Sequence, residues 1–414
     1  MRILIVSWAW PPIGRIGSMR PLGMAREWSE LGEEVHVVTG PGDRGGEYTP
    51  DLCARADASR AIVHRAEAPG LPPPTDLRPA FESSPKDLVS KRRVSRLHQI
   101  LSQWRNFPDQ QRSWIEPAVR LCLQRHSSTP FDVVWSTSPP ESAHYVARAL
   151  VLKGVPWVAD FRDQWSDYLL ARWDPVSGRI IDRVTRRVLS PAAALTAATE
   201  GVAQSIRRAS GKVVACVRNG FDPVELDKKR ARSRCLGYFG RIDPTMQHPE
   251  RLWNPLRILK ARGRPWTVEF FVSPGGGGGA NVRPPEDLRE LVRVSPPLPH
   301  QDALRAMQTM TALLVLAWET RGGETSVAGK LYEYVGSGRA VLVCAPQGSE
   351  ARTLVEATGT GLGAWSDEEI VESLFRLESF TVDPHGREGL TRRRSAEQLL
   401  ALFAEACASS GGDH

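Results

Sequence analysis

Residues 2–40, "RILIVSWAWPPIGRIGSMRPLGMAREWSELGEEVHVVTG", decide the fold of this chain. The apolar run at 2–8 is typical of a buried strand, residues 21–32 have the periodicity of an amphipathic helix, and 33–40 return to a strand pattern. A turn that contains glycine joins the first strand to the helix. This βαβ order predicts a parallel sheet, and such a sheet places ligands beyond the carboxyl ends of its strands.

The same alternation continues along the chain in two halves. A polar, highly charged segment at 222–234 separates them and is typical of a linker. Further strand patterns lie at 131–137, 155–161, 194–201, 212–222, 235–243, 266–279, 312–319 and 339–344. We therefore predict an α/β fold with an N-terminal domain at 1–221 and a C-terminal domain at 235–392. A C-terminal helix with a frayed tail, at 393–414, is expected to pack back toward the domain junction.

Length and composition indicate a globular protein. The 414 residues suffice for two domains, and 41% of them are hydrophobic and 24% charged. No apolar run is long enough for a spanning helix, and Pro11 and Pro12 interrupt the first one, so we predict a cytoplasmic location. The six cysteines include no C-x-x-C pair, which argues against a zinc site and against a disulfide framework.

The net charge of +7 is compatible with an anionic partner. No zinc-finger or RNA-binding signature is present, so nucleic acid is not predicted as a partner. Residues 86–106, "KDLVSKRRVSRLHQILSQWRN", combine cations with Leu, Ile and Trp. This segment is either a solvated amphipathic helix or a peripheral contact with the inner face of a membrane, where it would collect a lipid-linked acceptor.

The segment "GKLYEYVGSGRAVLVC", 329–344, predicts a short helix that ends in a glycine turn and leads into a buried strand. Lys330 and Glu333 share one face of this helix, with Lys330 at the positively polarised end. One interpretation is a solvated surface ion pair. The other is an anion site, because a lysine at a helix N-terminus is favoured when a phosphate is bound there as well.

Six motifs carry a resemblance to a known family. They are "PPIGRIGSMR" (11–20), "STSPPESAH" (136–144), "VADFRDQW" (158–165), "VRNGFD" (217–222), "GYFGRI" (237–242) and "GKLYEYVGSGRAVLV" (329–343). In this order they resemble the family 4-type glycosyltransferases of the GT-B fold. The resemblance implies two Rossmann-like domains with parallel sheets facing across a cleft. It also implies transfer with retention of anomeric configuration, from a nucleotide-diphosphate sugar held mainly by the C-terminal domain to an acceptor held mainly by the N-terminal one.

The resemblance also implies roles for residues that bind the donor. Lys330 and Glu333 match the family's K-L-x-E-Y element, in which the lysine binds the diphosphate and the glutamate the ribose. The backbone N–H of Leu331 would contact phosphate, and Arg241 would stabilise the leaving diphosphate. No D-x-D sequence is present. Neither a metal nor any cofactor besides the donor co-substrate is therefore predicted.

The predicted donor site also includes the glycines of the first turn and the loop before the K-L-x-E-Y element. Gly14 and Gly17 either serve a sharp turn or let the backbone approach the diphosphate. Many relatives carry a glutamate eight positions before the ribose glutamate, whereas this chain has Thr325 there. We place the loop that reads the donor sugar at Gly323, Glu324 and Thr325.

"DFRD" ends an apolar strand, the place where α/β proteins gather their chemistry. Asp160, Arg162 and Asp163 are candidate catalytic residues. The two aspartates would orient or deprotonate the acceptor hydroxyl, and Arg162 stands where relatives often have a histidine. The alternative is an Arg–Asp network that stabilises the loop. In a front-face retaining mechanism the departing phosphate oxygen can take the proton, so a dedicated base is not required.

The sequence therefore predicts a metal-independent hexosyltransferase. Its acceptor is either a small molecule, as in secondary-metabolite (antibiotic) biosynthesis, or a lipid-linked saccharide, as in surface-polysaccharide biosynthesis. The richness in Ala, Arg, Gly and Pro suggests a bacterial source. Two alternatives stay open, a GT-B sugar-nucleotide epimerase or hydrolase and a non-catalytic nucleotide-sugar-binding protein.

Overall fold

The computed structural model describes residues 1–12, 16–42, 50–70, 107–164, 175–226, 232–272, 282–319 and 323–410. They form two compact units, the first built from 1–218 together with 395–414 and the second from 219–394. Gly14, the charged segment 86–106 and the glycine-rich loop 273–281 lie outside the described residues.

The first unit contains a seven-stranded parallel sheet in the order β3-β2-β1-β4-β5-β6-β7. Its strands are β1 (Arg2–Val6), β2 (Glu34–Thr39), β3 (Ile62–Arg65), β4 (Val133–Ser138), β5 (Trp157–Phe161), β6 (Ala194–Ala197) and β7 (Ala215–Cys216). The strand β1 lies at the centre, where Ile5 pairs with Val37 of β2 and Trp135 of β4. Both faces of β1 are buried, which is why its sequence is a continuous apolar run.

Helices cover both faces of this sheet. On one face lie α3 (Ile115–Ser128), α4 (Ser142–Val151), α5 (Pro175–Leu189) and α6 (Glu200–Ser210). On the other lie α1 (Met19–Glu30), α2 (Pro50–Ala58) and the C-terminal helix, which is named below. Connections between parallel strands are right-handed, so the face on which a connecting helix lies depends on the direction in which the chain moves along the sheet. The chain moves from β1 through β2 to β3 at one edge, and later from β4 to β7 at the other edge, so its helices lie on opposite faces.

The second unit contains a six-stranded parallel sheet in the order β10-β9-β8-β11-β12-β13. Its strands are β8 (Cys235–Phe239), β9 (Thr267–Phe271), β10 (Val292–Ser295), β11 (Ala312–Leu316), β12 (Ala340–Cys344) and β13 (Gly361–Ala364). Its helices are α7 (Trp253–Ala261), α8 (His300–Thr309), α9 (Gly329–Gly336), α10 (Glu350–Ala357), α11 (Asp367–Leu377) and α12 (Pro384–Glu388). The predicted α/β class with two parallel sheets is confirmed, as are the helix α9 and the strand β12 that follows it.

The last helix, α13 (Arg392–Ser410), completes the core of the first unit. The indole nitrogen of Trp28, on α1, donates a hydrogen bond to the carbonyl of Ala396 at 3.1 Å. The rings of Trp28 and Phe403 meet edge to face, with 5.2 Å between centroids. The helix predicted as a separate C-terminal element thus belongs to the N-terminal unit, because its apolar side chains find their partners there.

None of the helices within the described residues has the length and apolar character needed to cross a membrane.

Candidate functional site

Each sheet has a switch point, a place where the strand order reverses and neighbouring connections leave in opposite directions. In the first sheet it lies between β1 and β4, and in the second between β8 and β11. Crevices at such points, outside the carboxyl ends of the strands, are the usual ligand sites of open α/β sheets. Most of the predicted site residues in the described part of the chain lie after one of the four strands at these switch points, β1, β4, β8 and β11, or on α9, the helix that follows β11.

Lys330 lies at the switch point of the second sheet. It is the second residue of α9, and its Nζ lies over the ring of Tyr238, 3.7 Å from the ring centroid. The residue as a whole is partly exposed, but Nζ itself is shielded from solvent and has no hydrogen-bond partner in the described part of the chain. Burial lowers the pKa of the Lys330 ammonium to about 7. An unpartnered buried ammonium is costly, so this arrangement favours an anionic ligand.

Gly240 leaves room next to this ammonium. It follows β8 with a φ of +112°, a conformation that glycine adopts without strain. A Cβ at Gly240 would lie 3.8 Å from Lys330 Nζ, and apart from the adjoining residues no other described atom lies within 4 Å of it. The glycine therefore keeps a space open beside the lysine, where an oxygen of a ligand can approach the ammonium.

Two tyrosines hold the elements around this space. The hydroxyl of Tyr238, on β8, donates to the carbonyl of Arg241 at 2.8 Å. The hydroxyl of Tyr334, on α9, accepts from the backbone N–H of Phe239 at 2.7 Å and donates to its carbonyl at 3.1 Å. Burial raises the pKa of both hydroxyls, so both stay protonated and can donate. Tyr334 thereby fixes α9 against the end of β8, and Tyr238 fixes the turn that follows this strand.

The other residues predicted to bind the diphosphate and ribose have different placements. Arg241 is exposed directly after Gly240, and Glu333 is half-buried on α9. The prediction for Leu331 is wrong in one respect. Its backbone N–H donates to the carbonyl of Ala328 at 2.9 Å and its side chain is buried in the core, so that N–H is already used by the first turn of the helix.

The predicted sugar loop forms a 3-10 turn, Gly323–Thr325, after β11. Glu324 is exposed, whereas Gly323 is buried against Trp318, whose carbonyl would lie 2.0 Å from a Cβ at that position. Only glycine allows this contact. Next to this turn lies an ion pair that was not predicted from the sequence, in which Arg251 donates two hydrogen bonds to the carboxylate of Glu319, at 2.6 and 2.8 Å. This pair connects the region after β8 to the loop after β11.

Arg162 lies at the switch point of the first sheet, and its guanidinium binds three backbone carbonyls. Its guanidinium donates to the carbonyl of Ser138 at 2.9 Å and also to those of Gly17 and Pro139. A Cβ at Gly17 would lie 3.0 Å from the guanidinium, which explains the glycine. Arg162 thus ties the turn after β1 to the loop after β4, which is the work of a positioning residue.

Asp160 lies inside the sheet, with no part of its side chain exposed. One carboxylate oxygen accepts from Arg20 Nε at 2.9 Å and Thr137 Oγ1 at 2.8 Å, and the other from Arg20 Nη2 and Thr196 Oγ1, both at 2.8 Å. A carboxylate enclosed in this way has no route to an acceptor hydroxyl. We therefore replace its predicted catalytic role by a structural one, the network alternative that the sequence left open.

Arg20, the buried partner of Asp160, was not predicted from the sequence. It also donates to the carbonyls of Val217 and Arg218, at 2.9 and 3.1 Å, so it connects the middle of the sheet to the end of the first unit. A signal was available, because an aspartate inside the apolar run of β5 requires a buried cation, but 140 residues separate Asp160 from Arg20.

Asp163 remains an exposed carboxylate at the end of β5. Nearby, the buried Glu141 and the half-buried Asp109 are carboxyl groups that were not predicted from the sequence. Asp109 accepts from the backbone N–H of Ser142 at 2.6 Å and from its hydroxyl at 2.7 Å. Burial, and then the charge of Asp109, raise the pKa of Glu141 well above its usual value. Both effects favour the protonated form of the Glu141 carboxyl group.

A family profile described as "Glycosyl transferase 4-like domain" matches residues 18–220. Residues 18–220 belong to the family 4-like glycosyltransferases. No curated protein sequence matches the chain. The matched residues cover most of the first unit, which contains Arg162, whereas Lys330 lies in the second unit, outside the match.

Solved structures show that the GT-B fold extends over the whole chain. A glycosyltransferase from Rickettsia africae has 10% identity and a TM-score of 0.63, and covers 98% of each chain. The sucrose-phosphate synthase of Thermosynechococcus elongatus has 14% identity and a TM-score of 0.59, and covers 99% of each. The N-terminal domain of a trehalose-6-phosphate phosphatase from Candida albicans has 10% identity and a TM-score of 0.63. The alignment covers 98% of this chain and 97% of the other.

Proposed function

We propose that the protein is a retaining glycosyltransferase that moves a sugar from a nucleoside-diphosphate sugar to an acceptor hydroxyl. One observation carries the proposal. The ammonium of Lys330 is shielded from water and lacks a partner in the described part of the chain, and Gly240 keeps a space open beside it. This is the environment that a diphosphate requires, because its charge would offset the desolvation of the lysine.

In the reaction we propose, the bond between the anomeric carbon and the leaving diphosphate breaks as negative charge grows on that phosphate oxygen. Lys330, Arg241 and the N–H groups at the start of α9 stabilise this charge, and most of the rate enhancement comes from such preorganised electrostatics. The acceptor oxygen attacks from the same face. Its proton passes to the departing phosphate oxygen, so no dedicated base is needed, and Asp163 is left to orient the acceptor.

The proposal is tested by calorimetric titration of the purified protein with UDP, GDP, dTDP and ADP in the presence of EDTA. We expect micromolar binding of one diphosphate, since the donor site uses no metal in this mechanism. Binding of that diphosphate without turnover of any acceptor would indicate a non-catalytic binding protein. Release of free sugar from the donor without an acceptor would indicate a hydrolase. A changed configuration at a carbon of the donor sugar would indicate an epimerase. Absence of binding to all four would overturn the proposal.

The ribose role of Glu333 gives a selective prediction. We expect Glu333→Ala to weaken binding of the preferred nucleoside diphosphate by about tenfold, because the variant loses charge-assisted hydrogen bonds from the ribose diol. Its affinity for inorganic pyrophosphate should stay unchanged, because pyrophosphate has no ribose. Titration of both ligands checks this. Equal losses for the two ligands would place Glu333 at the phosphates instead.

Lys330 makes donor binding depend on pH. In the free protein its pKa is about 7, so most of the population is neutral at about pH 8. A bound diphosphate favours the ammonium and raises its pKa, so binding at about pH 8 should take up close to one proton. Titrations in buffers of different ionisation enthalpy measure this uptake. The affinity should fall as the pH rises from about 7 to about 9, and a pH-independent affinity would contradict the assignment.

A further inference from the structure

The helix α5 presents an unusual row of cations on the first unit. Its arginines are spaced so that they form one exposed stripe along the helix. This arginine stripe consists of Arg179, Arg183, Arg186 and Arg187. None of the four guanidinium groups has an ion-pair, hydrogen-bond or ring partner in the described part of the chain. Exposed arginines usually find neighbouring carboxylates, but Asp182 is the only acidic residue of this helix.

The surrounding surface is also basic. Between residues 179 and 213 the sequence has seven Lys and Arg against two Asp and Glu, an excess of five positive charges within a net charge of +7 for the whole chain. One of the two acids, Glu200, is paired with Arg207 at 2.5 Å. This segment therefore carries a local excess of positive charge, and an extended anionic partner would complement it.

Two exposed aliphatic side chains stand near the C-terminal end of α5. Leu152 and Val213 are each 89% exposed, far more than any other large hydrophobic side chain among the described residues. The Nζ of Lys212 donates to the carbonyls of Ser190 and Ala192, at 2.6 and 2.7 Å, which places Val213 beside the loop that follows α5. Leu152 precedes β5 and Val213 precedes β7. The strand β6, which follows α5, pairs with both of these strands, so the two side chains lie at the amino edge of the sheet, where α5 also ends.

We propose that the arginine stripe of α5, with Leu152 and Val213, docks this protein on an anionic lipid bilayer. Arginines bind lipid phosphates, and each cation near an anionic membrane surface contributes about fivefold to partitioning. The aliphatic side chains enter the interfacial region. A nucleic acid fits less well, because the stripe has no aromatic side chain on which bases could stack, and the two aliphatic side chains would stay in water.

The test is flotation of the full-length protein with vesicles of phosphatidylcholine alone or with added phosphatidylglycerol. We expect binding only to the vesicles with phosphatidylglycerol, and release at high salt. Arg183→Glu with Arg186→Glu should lower binding by at least about tenfold. The matched control is Arg289→Glu with Arg376→Glu, two exposed arginines of the second unit that make the same change in net charge and should bind like the wild type.

A second variant pair separates insertion from simple charge attraction. Leu152→Ser with Val213→Ser should weaken vesicle binding by about fivefold and leave its salt dependence in place. The proposal fails if the α5 variant floats like the wild type, if the wild type binds neutral vesicles equally well, or if it binds a DNA duplex and not the vesicles. Diphosphate titration of each variant shows independently that the second unit is intact, so this outcome does not depend on the proposed transferase activity.

Discussion

Replacing Lys330 by methionine is expected to abolish diphosphate binding and at the same time to stabilise the protein. The loss of a charge-assisted contact to phosphate should cost about 2–4 kcal/mol of binding, which is about 30- to 1,000-fold in Kd. Methionine keeps the length of the side chain and its contact with Tyr238 without a buried charge. The free energy of unfolding should therefore increase by about 1–3 kcal/mol.

The gain in stability should depend on pH in a defined direction. The folded protein releases the Lys330 proton near pH 7, whereas in the unfolded chain the ordinary pKa of lysine is 10.5. Between these values the unfolded state binds more protons, so the wild type becomes more stable as the pH rises. The advantage of Lys330→Met should be largest below about pH 7 and shrink above it. Thermal unfolding across this range measures it.

Lys260→Met is the matched control for this experiment. Lys260 lies on α7 of the same unit with 42% of its side chain exposed, next to Glu290. The same chemical change there should leave both diphosphate affinity and unfolding nearly unaltered. If Lys330→Met bound the preferred diphosphate as tightly as the wild type, the donor site would have to lie elsewhere. If it lowered stability at every pH, the lysine would have a structural partner.

The second large effect is expected from the buried pair Arg20 and Asp160. Arg20→Met leaves Asp160 charged inside the sheet with only two threonine hydroxyls as donors, and we expect a loss of about 3–5 kcal/mol in the free energy of unfolding. Asp160→Ala should cost a similar amount. The double change should cost clearly less than the sum of the two, because it leaves no unpaired charge.

An exposed pair with similar geometry provides the control. Arg257 and Asp287 are joined by hydrogen bonds of 2.7 and 3.2 Å, but both side chains are about half exposed. Arg257→Met should therefore change stability little, since water replaces its partner. Urea unfolding, with hydrogen exchange of β4, β5 and β6 as a local measure, compares the variants. A small effect of Arg20→Met would show that the buried network is dispensable and would reopen a catalytic role for Asp160.

How much could be predicted from the sequence differs between the two units. Lys330 and Glu333 were selected as candidates because they lie three residues apart on one short helix with glycines at its ends, so local spacing carried the information. Arg162 was found by its place after an apolar strand, but its three carbonyl partners were not. Arg20, Glu141 and Asp109 were missed, because their contacts join parts of the chain that lie far apart in sequence.

By itself the sequence determined the order of strands and helices, the two parallel sheets and the helix that begins at Gly329, because periodicity and glycine turns act over a few residues. Tertiary structure decided the rest. It placed α13 in the first unit, since Trp28 is the partner of Phe403. It enclosed Asp160 with a cation from 140 residues away. It also shielded Lys330 Nζ from water, and desolvation depends on every neighbour in space rather than on neighbours along the chain.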